Sequence, residues 1–393
     1  MRQALSYRHH AHAVLWLGLP LVGSHVAQFA VTLTDAVMLG WYSVEALAAE
    51  TLGGTMFFVF FIMGSGFAWA VMPIAGPGIL PALLVMVLKS YLAALERTQV
   101  VLWVTVAAVG LNIAVNHALI FGNWGLPELG VRGAAIASLV VHTGSFAALV
   151  VYAARATPEH TLFQRLWRPD REAFARVFRL GWPIGITNLA EVGLFAAATA
   201  MLGWLGTLPL AAHGIAMQVT SVVFMVHLGL SNVATIRAGQ AFGRGDGAGL
   251  RAGAIVVLAV SGAVALATVV LFLTVPEVLI GLFLNPAEPD RAGVIAVGTG
   301  LLAAAALFQL VDAGQVLALG LLRGVQDTRV PMVIAALSYW AVGVPASYAL
   351  GFSQGLGGVG VWLGLAVGLA CAAVFMLARF WGWSARGVAE GAG

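Results

Sequence analysis

An apolar run of 25 residues, Leu180 to Trp204, carries a single charged side chain, Glu191, near its middle. As a helix rising about 1.5 Å per residue it is long enough to cross a hydrocarbon core of about 30 Å, with Glu191 roughly 17 to 20 Å from either end. A charge at that depth costs about 2.5 to 3.5 kcal/mol on insertion scales, so such an acid faces a cavity or a partner inside the protein. The same run is written earlier in the chain. A shift of 163 residues lays Leu17-Gly18-Leu19-Pro20 on Leu180-Gly181-Trp182-Pro183 and Met38-Leu39-Gly40-Trp41 on Met201-Leu202-Gly203-Trp204, without a gap between the two. The register persists to Ala75-Gly76 on Ala238-Gly239. Two related halves point to a transporter, in which substrate and ion sites lie near the midplane between or within repeats.

Composition agrees with a membrane chain and excludes a soluble one: 61% of residues are hydrophobic, only 9% are charged, and the mean hydropathy is +0.97. The positive balance comes from 18 Arg and Lys89, most of them between apolar runs, and reads as a topology signal and not as nucleic-acid binding. One cysteine, Cys371, excludes an intramolecular disulfide and a cysteine metal cluster. No phosphate-binding loop, zinc-protease or nucleophile-elbow motif occurs, so no enzymatic activity and no cofactor are expected.

The fold class is all-α, a polytopic membrane protein of two homologous helical-bundle lobes. Ten spans are predicted at 13–40, 46–75, 99–121, 131–154, 177–205, 208–236, 252–275, 292–322, 330–352 and 358–382, with a short apolar piece, Ile79 to Leu95, left over. Residues 1–154 form an N-terminal lobe, 155–176 a linker, and 177–393 a C-terminal lobe of six helices. Six Arg between Arg155 and Arg179 assign the linker to the cytoplasm, and both termini with it. The late parts of the halves align at a shift of 230, Leu92 on Leu322 and Thr98 on Thr328, whereas the early parts align at 163. The first lobe is therefore short by about 67 residues after residue 78, a helix and most of the next. By parity, Ile79 to Leu95 is expected not to cross.

Polar residues inside the spans mark the candidate site. Ser24, Gln28, Thr32 and Asp35 share one helical face, and Asn112 and Asn116 lie one turn apart on another. Asp35 with the two Asn amides suits a small cation such as Na+. In the second half Asn188 and Glu191 share a face, as do Gln309, Asp312 and Gln315. A Glu and an Asp in one dry cavity repel each other when both are charged, and either could take up a proton. The four histidines His117, His142, His213 and His227 lack ligand spacing and are expected in the helical core.

These segments, above all LGLPLVGSHVAQ with TDAVMLG, HGIAMQVTSVVFM and LVDAGQVLALGLLRGVQD, make the chain resemble a multidrug and toxic compound extrusion transporter of the NorM-like branch from about residue 12 to 383. The resemblance implies a twelve-helix, two-lobed exporter of the bacterial inner membrane, a monomer, expelling organic cations and amphipathic drugs in exchange for inward H+ or Na+. It assigns Asp35, Asn112 and Asn116 to an N-lobe cation site and Glu191 and Asp312 to coupling in the C-lobe. Ser138 is a weaker match, and Phe308 stands where such transporters often have a Tyr. Gln28, Thr32, Ser138, Asn188, Phe308, Gln309 and Gln315 complete the expected substrate cavity. The alternatives are a flippase for a lipid-linked precursor and a truncated chain that does not transport.

Overall fold

The computed structural model describes residues 7–42, 44, 48, 51, 79–120, 123–125, 127, 131–160, 162 and 170–384. Among them there is no strand. The long helices are α1 (Tyr7–Tyr42), α2 (Ile79–Ala94), α3 (Thr98–Ile120), α4 (Val131–Ala156), α5 (Arg171–Trp204), α6 (Thr207–Gly243) and α7 (Gly247–Thr274). After the short α8 (Pro276–Gly281) come α9 (Arg291–Gly324), α10 (Arg329–Ser353) and α11 (Gly357–Arg379). Nine helices among the described residues, all but α2 and α8, are long and apolar enough to cross a membrane. The span expected at 46–75 lies almost wholly outside the described residues.

Helix ends follow their capping residues. Asp246 accepts the backbone N–H of Gly249 at 2.8 Å and starts α7 five residues before the apolar run expected from 252. Asp170 accepts the N–H of Glu172 at 2.9 Å and starts α5 at Arg171, inside the stretch expected as linker. Residues 171–176 are therefore helical, and the connection between the lobes is correspondingly shorter.

The repeat is visible in backbone detail. Between α2 and α3, Glu96 N–H donates to Ala93 O and Arg97 N–H to Leu92 O, both at 2.9 Å, with Glu96 at a φ of 60°. Between α9 and α10, Gln326 donates to Arg323 O at 3.1 Å and Asp327 to Leu322 O at 2.9 Å, with Gln326 at a φ of 63°. Both left-handed residues are non-glycine, an uncommon state, and they fall at the 230-residue spacing. Each turn is also tied to the last helix of its half, through Arg97 to Tyr152 Oη at 3.3 Å and Arg379 to Asp327 at 2.8 Å.

That register makes α2 the counterpart of the second half of α9. Its 16 residues reach about 24 Å, short of a full crossing. Val85, Leu88 and Leu92 bury against Val101, Leu149 and Ala153 of α3 and α4 in a small cluster separate from the main core. The main core joins α1 to the second half: Val14, Leu17 and Leu21 pack with residues of α5, α6, α9 and α11. Gly229 of α6 lets the backbone of α1 approach at Val22, where a Cβ would stand 2.8 Å from the Val22 Cα.

Helix α10 is wound as a π-helix over Leu337–Gly343 and Ala349–Ser353. It lies so close to α11 that a Cβ on Gly364 would overlap the backbone of Ser347. The wide turns carry Tyr339 and Trp340 toward α9 and α5.

Candidate functional site

The C-terminal lobe gathers its polar residues from three helices. From α9 come Gln309 and Gln315, both 0% exposed, and Asp312, 1% exposed, at intervals of three that rise about 4.5 Å each. Gln309 Nε2 donates to Thr220 O of α6 at 3.1 Å, and Gln315 Nε2 to Tyr339 Oη of α10 at 2.6 Å. These bonds use the amide hydrogens and leave the oxygens over. Gln309 Oε1, Asp312 Oδ1 and Gln315 Oε1 are buried with no hydrogen-bond partner among the described residues. Three buried acceptors without a donor lie along one helix, an arrangement that leaves unpaired negative potential in the core.

From α5 come Asn188 and Glu191, one turn apart. Glu191 is partly buried and lies within electrostatic reach of both Asp312 and Arg323. Arg323 Nη2 donates to Asn188 Oδ1 at 2.9 Å, which ties the last turn of α9 to the middle of α5. Trp340 Nε1 donates to Ala190 O at 3.2 Å and brings α10 to the same place. Glu191 and Asp312, expected to form a pair, lie within electrostatic reach of each other.

An aromatic wall stands beside them. Phe308, preceding Gln309, meets Phe195 of α5 and Trp362 of α11 edge to face, at ring-centre distances of 5.9 and 5.4 Å. Trp362 Nε1 donates to His213 Nδ1 at 3.1 Å. Because the indole can only donate, His213 carries its hydrogen on Nε2, which reaches Thr199 Oγ1 at 3.0 Å, and Thr199 in turn donates to Phe195 O at 3.0 Å. His213 therefore fixes the wall. His227, bonded to Ser261 at 2.8 Å, is likewise buried in the core.

In the N-terminal lobe the side chains of Thr32, Asp35, Asn116 and Ser138 lie outside the described residues. Asn112 is partly buried on α3, and Gln28 is exposed. Ser24 bonds Thr105 Oγ1 of α3 at 2.9 Å and acts as a link between helices. At the 230-residue spacing the positions of Gln309, Asp312, Gln315 and Arg323 are taken by Ile79, Ala82, Val85 and Ala93, so α2 repeats none of these four polar groups, and its own are Lys89, Ser90 and Tyr91 near its C-terminal end.

Two site residues escaped sequence reasoning. Arg323 reads in the sequence as a topology charge at a span's end, and Tyr339 is not singled out there.

A family model, MatE, matches residues 183–349. A probable multidrug resistance protein NorM of Agrobacterium fabrum is 39% identical over 438 aligned positions, covering 95% of this chain and 94% of that protein. Among solved structures, a MOP superfamily transporter from Pyrococcus furiosus, described as having a binding pocket of reversed polarity, matches with a TM-score of 0.76 at 16% identity, covering 97% and 96% of the two chains. A eukaryotic MATE transporter, AtDTX14, matches with a TM-score of 0.70 at 18% identity over 98% of this chain and 89% of the other.

Proposed function

We propose, from the premise that this chain belongs to the MatE family of multidrug efflux transporters, that it exports organic cations and amphipathic drugs in exchange for inward H+ or Na+. The observation that carries the coupling is the set of unmatched oxygens on Gln309, Asp312 and Gln315 beside Glu191. A buried carboxylate with no donor is stabilised by a bound proton or cation and destabilised by losing it. Alternating access follows if the entry of H+ or Na+ at Glu191 and Asp312 and the binding of a cationic drug compete for the same negative charge. Phe195, partly exposed and backed by the buried Phe308 and Trp362, gives an amphipathic cation an aromatic contact next to that charge. Two acids and an aromatic wall favour cations over a lipid-linked phosphate, which would call for a basic cavity.

The N-terminal lobe holds a second cation site at Asp35, Asn112 and Asn116 in this reading, with Thr32, Gln28 and Ser138 along the same cavity. In the same reading that lobe is short by about 67 residues after residue 78, between roughly Gly78 and Leu92. The turn repeated at the 230-residue spacing supports this reading, as does the length of the alignment with the Agrobacterium protein, 438 positions against a chain of 393 residues.

The test is dye efflux from vesicles containing the chain, with H+ and Na+ gradients imposed separately. One gradient should drive ethidium against its concentration. Equal rates with either gradient and with none would overturn the exchange.

A further inference from the structure

A second polar pocket lies where the first turn of α1 meets the α6–α7 turn, near the last turns of α9. It is lined by His10, Arg237, Gln240, Arg244, Asp246 and Gly253 among others. Arg237 Nη2 donates to His10 Nδ1 at 2.8 Å. A guanidinium has no acceptor, so Nδ1 is the accepting nitrogen and the hydrogen of His10 sits on Nε2. That Nε2–H and the Nε–H of Arg237 are both buried without a partner among the described residues, and His10 is only 3% exposed. Two buried donors are left over, while the acceptor on the wall, the second oxygen of Asp246, is not fully buried.

The space beside them is kept open by a glycine. A Cβ at Gly253 would stand 3.7 Å from His10 Nδ1 and 4.0 Å from Arg237 Nε, in ordinary contact, so a longer side chain would enter the pocket. The carboxylate on the wall, Asp246, accepts from Gly249 N with Oδ1 as the cap of α7. Glu96, within electrostatic reach of Arg237, accepts from Gln240 Nε2 at 2.9 Å with Oε1. Arg244 stands exposed at the mouth, and Arg251 is exposed in the first turns of α7.

We propose that this pocket binds a phosphate group, either the headgroup of an anionic lipid or free phosphate. Its oxygens match the two buried N–H groups, and Arg244 adds a charged donor at the entrance. The pocket opens where Arg-rich connections gather, the level at which basic clefts between membrane helices meet anionic headgroups.

The test uses the full chain in neutral detergent, with ligand binding and thermal midpoint as readouts and no transport assay. Phosphatidylglycerol should bind wild type about tenfold more tightly than phosphatidylcholine, and Gly253→Leu, which keeps every polar group, should erase that preference. If inorganic phosphate alone raises the midpoint of wild type and not of Gly253→Leu, the ligand is free phosphate; if phosphatidylglycerol does so and phosphate does not, it is the lipid. Arg237→Gln should lose either response. Should neither variant fold, wild type alone decides by its preference between the two lipids and its response to phosphate. Identical responses in wild type and Gly253→Leu, or no response of wild type to either ligand, would overturn the proposal.

Discussion

Tyr339 holds the amide of Gln315 by a hydrogen bond of 2.6 Å, and the Gln315 oxygen is left buried without a partner among the described residues. Tyr339→Phe removes that acceptor and leaves both ends of a buried amide unmatched, at a cost of about 1 to 3 kcal/mol. The expected outcome is a lower thermal midpoint together with slower gradient-driven efflux, measured on the same preparation; a variant unchanged in both would show that Gln315 is placed by other contacts. Glu191 and Asp312 were legible in the sequence because a carboxylate in an apolar run stands out whatever its partners are. Tyr339 and Arg323 were not, because their roles depend on where α10 and the end of α9 come to lie against α5. Such contacts join residues far apart in the chain, and no local spacing encodes them.

At the scale of elements, α11 serves as the plane on which α10 and the aromatic wall are set. Its glycine at 364 admits the backbone of α10, and its Trp362 joins Phe308 to His213. Trp362→Phe keeps a ring against Phe308 but removes the only donor to His213 Nδ1 described here, again at about 1 to 3 kcal/mol. Thermal unfolding should then begin a few degrees lower, with the fold retained in circular dichroism. An unchanged midpoint would mean that the Trp362–His213 bond does not hold the wall. The helices themselves were readable from apolar length, and their ends from Asp170 and Asp246. The π-turns of α10 had no comparable sign, since they arise from fitting one backbone against another.

Over the whole molecule, the two halves differ in what they bring to the middle of the membrane. The second half brings its acids from α5 and α9. In the first half the counterpart of α9 is α2, which has Ala82 at the position of Asp312, and the sequence offers Asp35 of α1 as the expected carboxylate. The Glu96–Gln240 and His10–Arg237 bonds place the α2–α3 turn, the start of α1 and the α6–α7 turn at one end of the molecule. On the excess of Arg in its connections that end is expected to face the cytoplasm. A cysteine replacing the exposed Gln99, in a Cys371→Ser background, should accordingly react with a membrane-impermeant maleimide only from the inside. Labelling from outside would mean that α2 crosses and that the parity of the first lobe is wrong. The repeat was legible because identities such as Leu-Gly-x-Pro and Met-Leu-Gly-Trp survive in both halves, while the placement of the N-lobe side chains depends on packing that sequence spacing does not specify. The central claim is that buried acids of the second lobe couple ion entry to export, and efflux by Asp312→Asn tests it most directly. In reconstituted vesicles, with matched protein content and an imposed ion gradient, Asp312→Asn should bind ethidium but fail to move it uphill, whereas uphill transport at the wild-type rate would contradict the account.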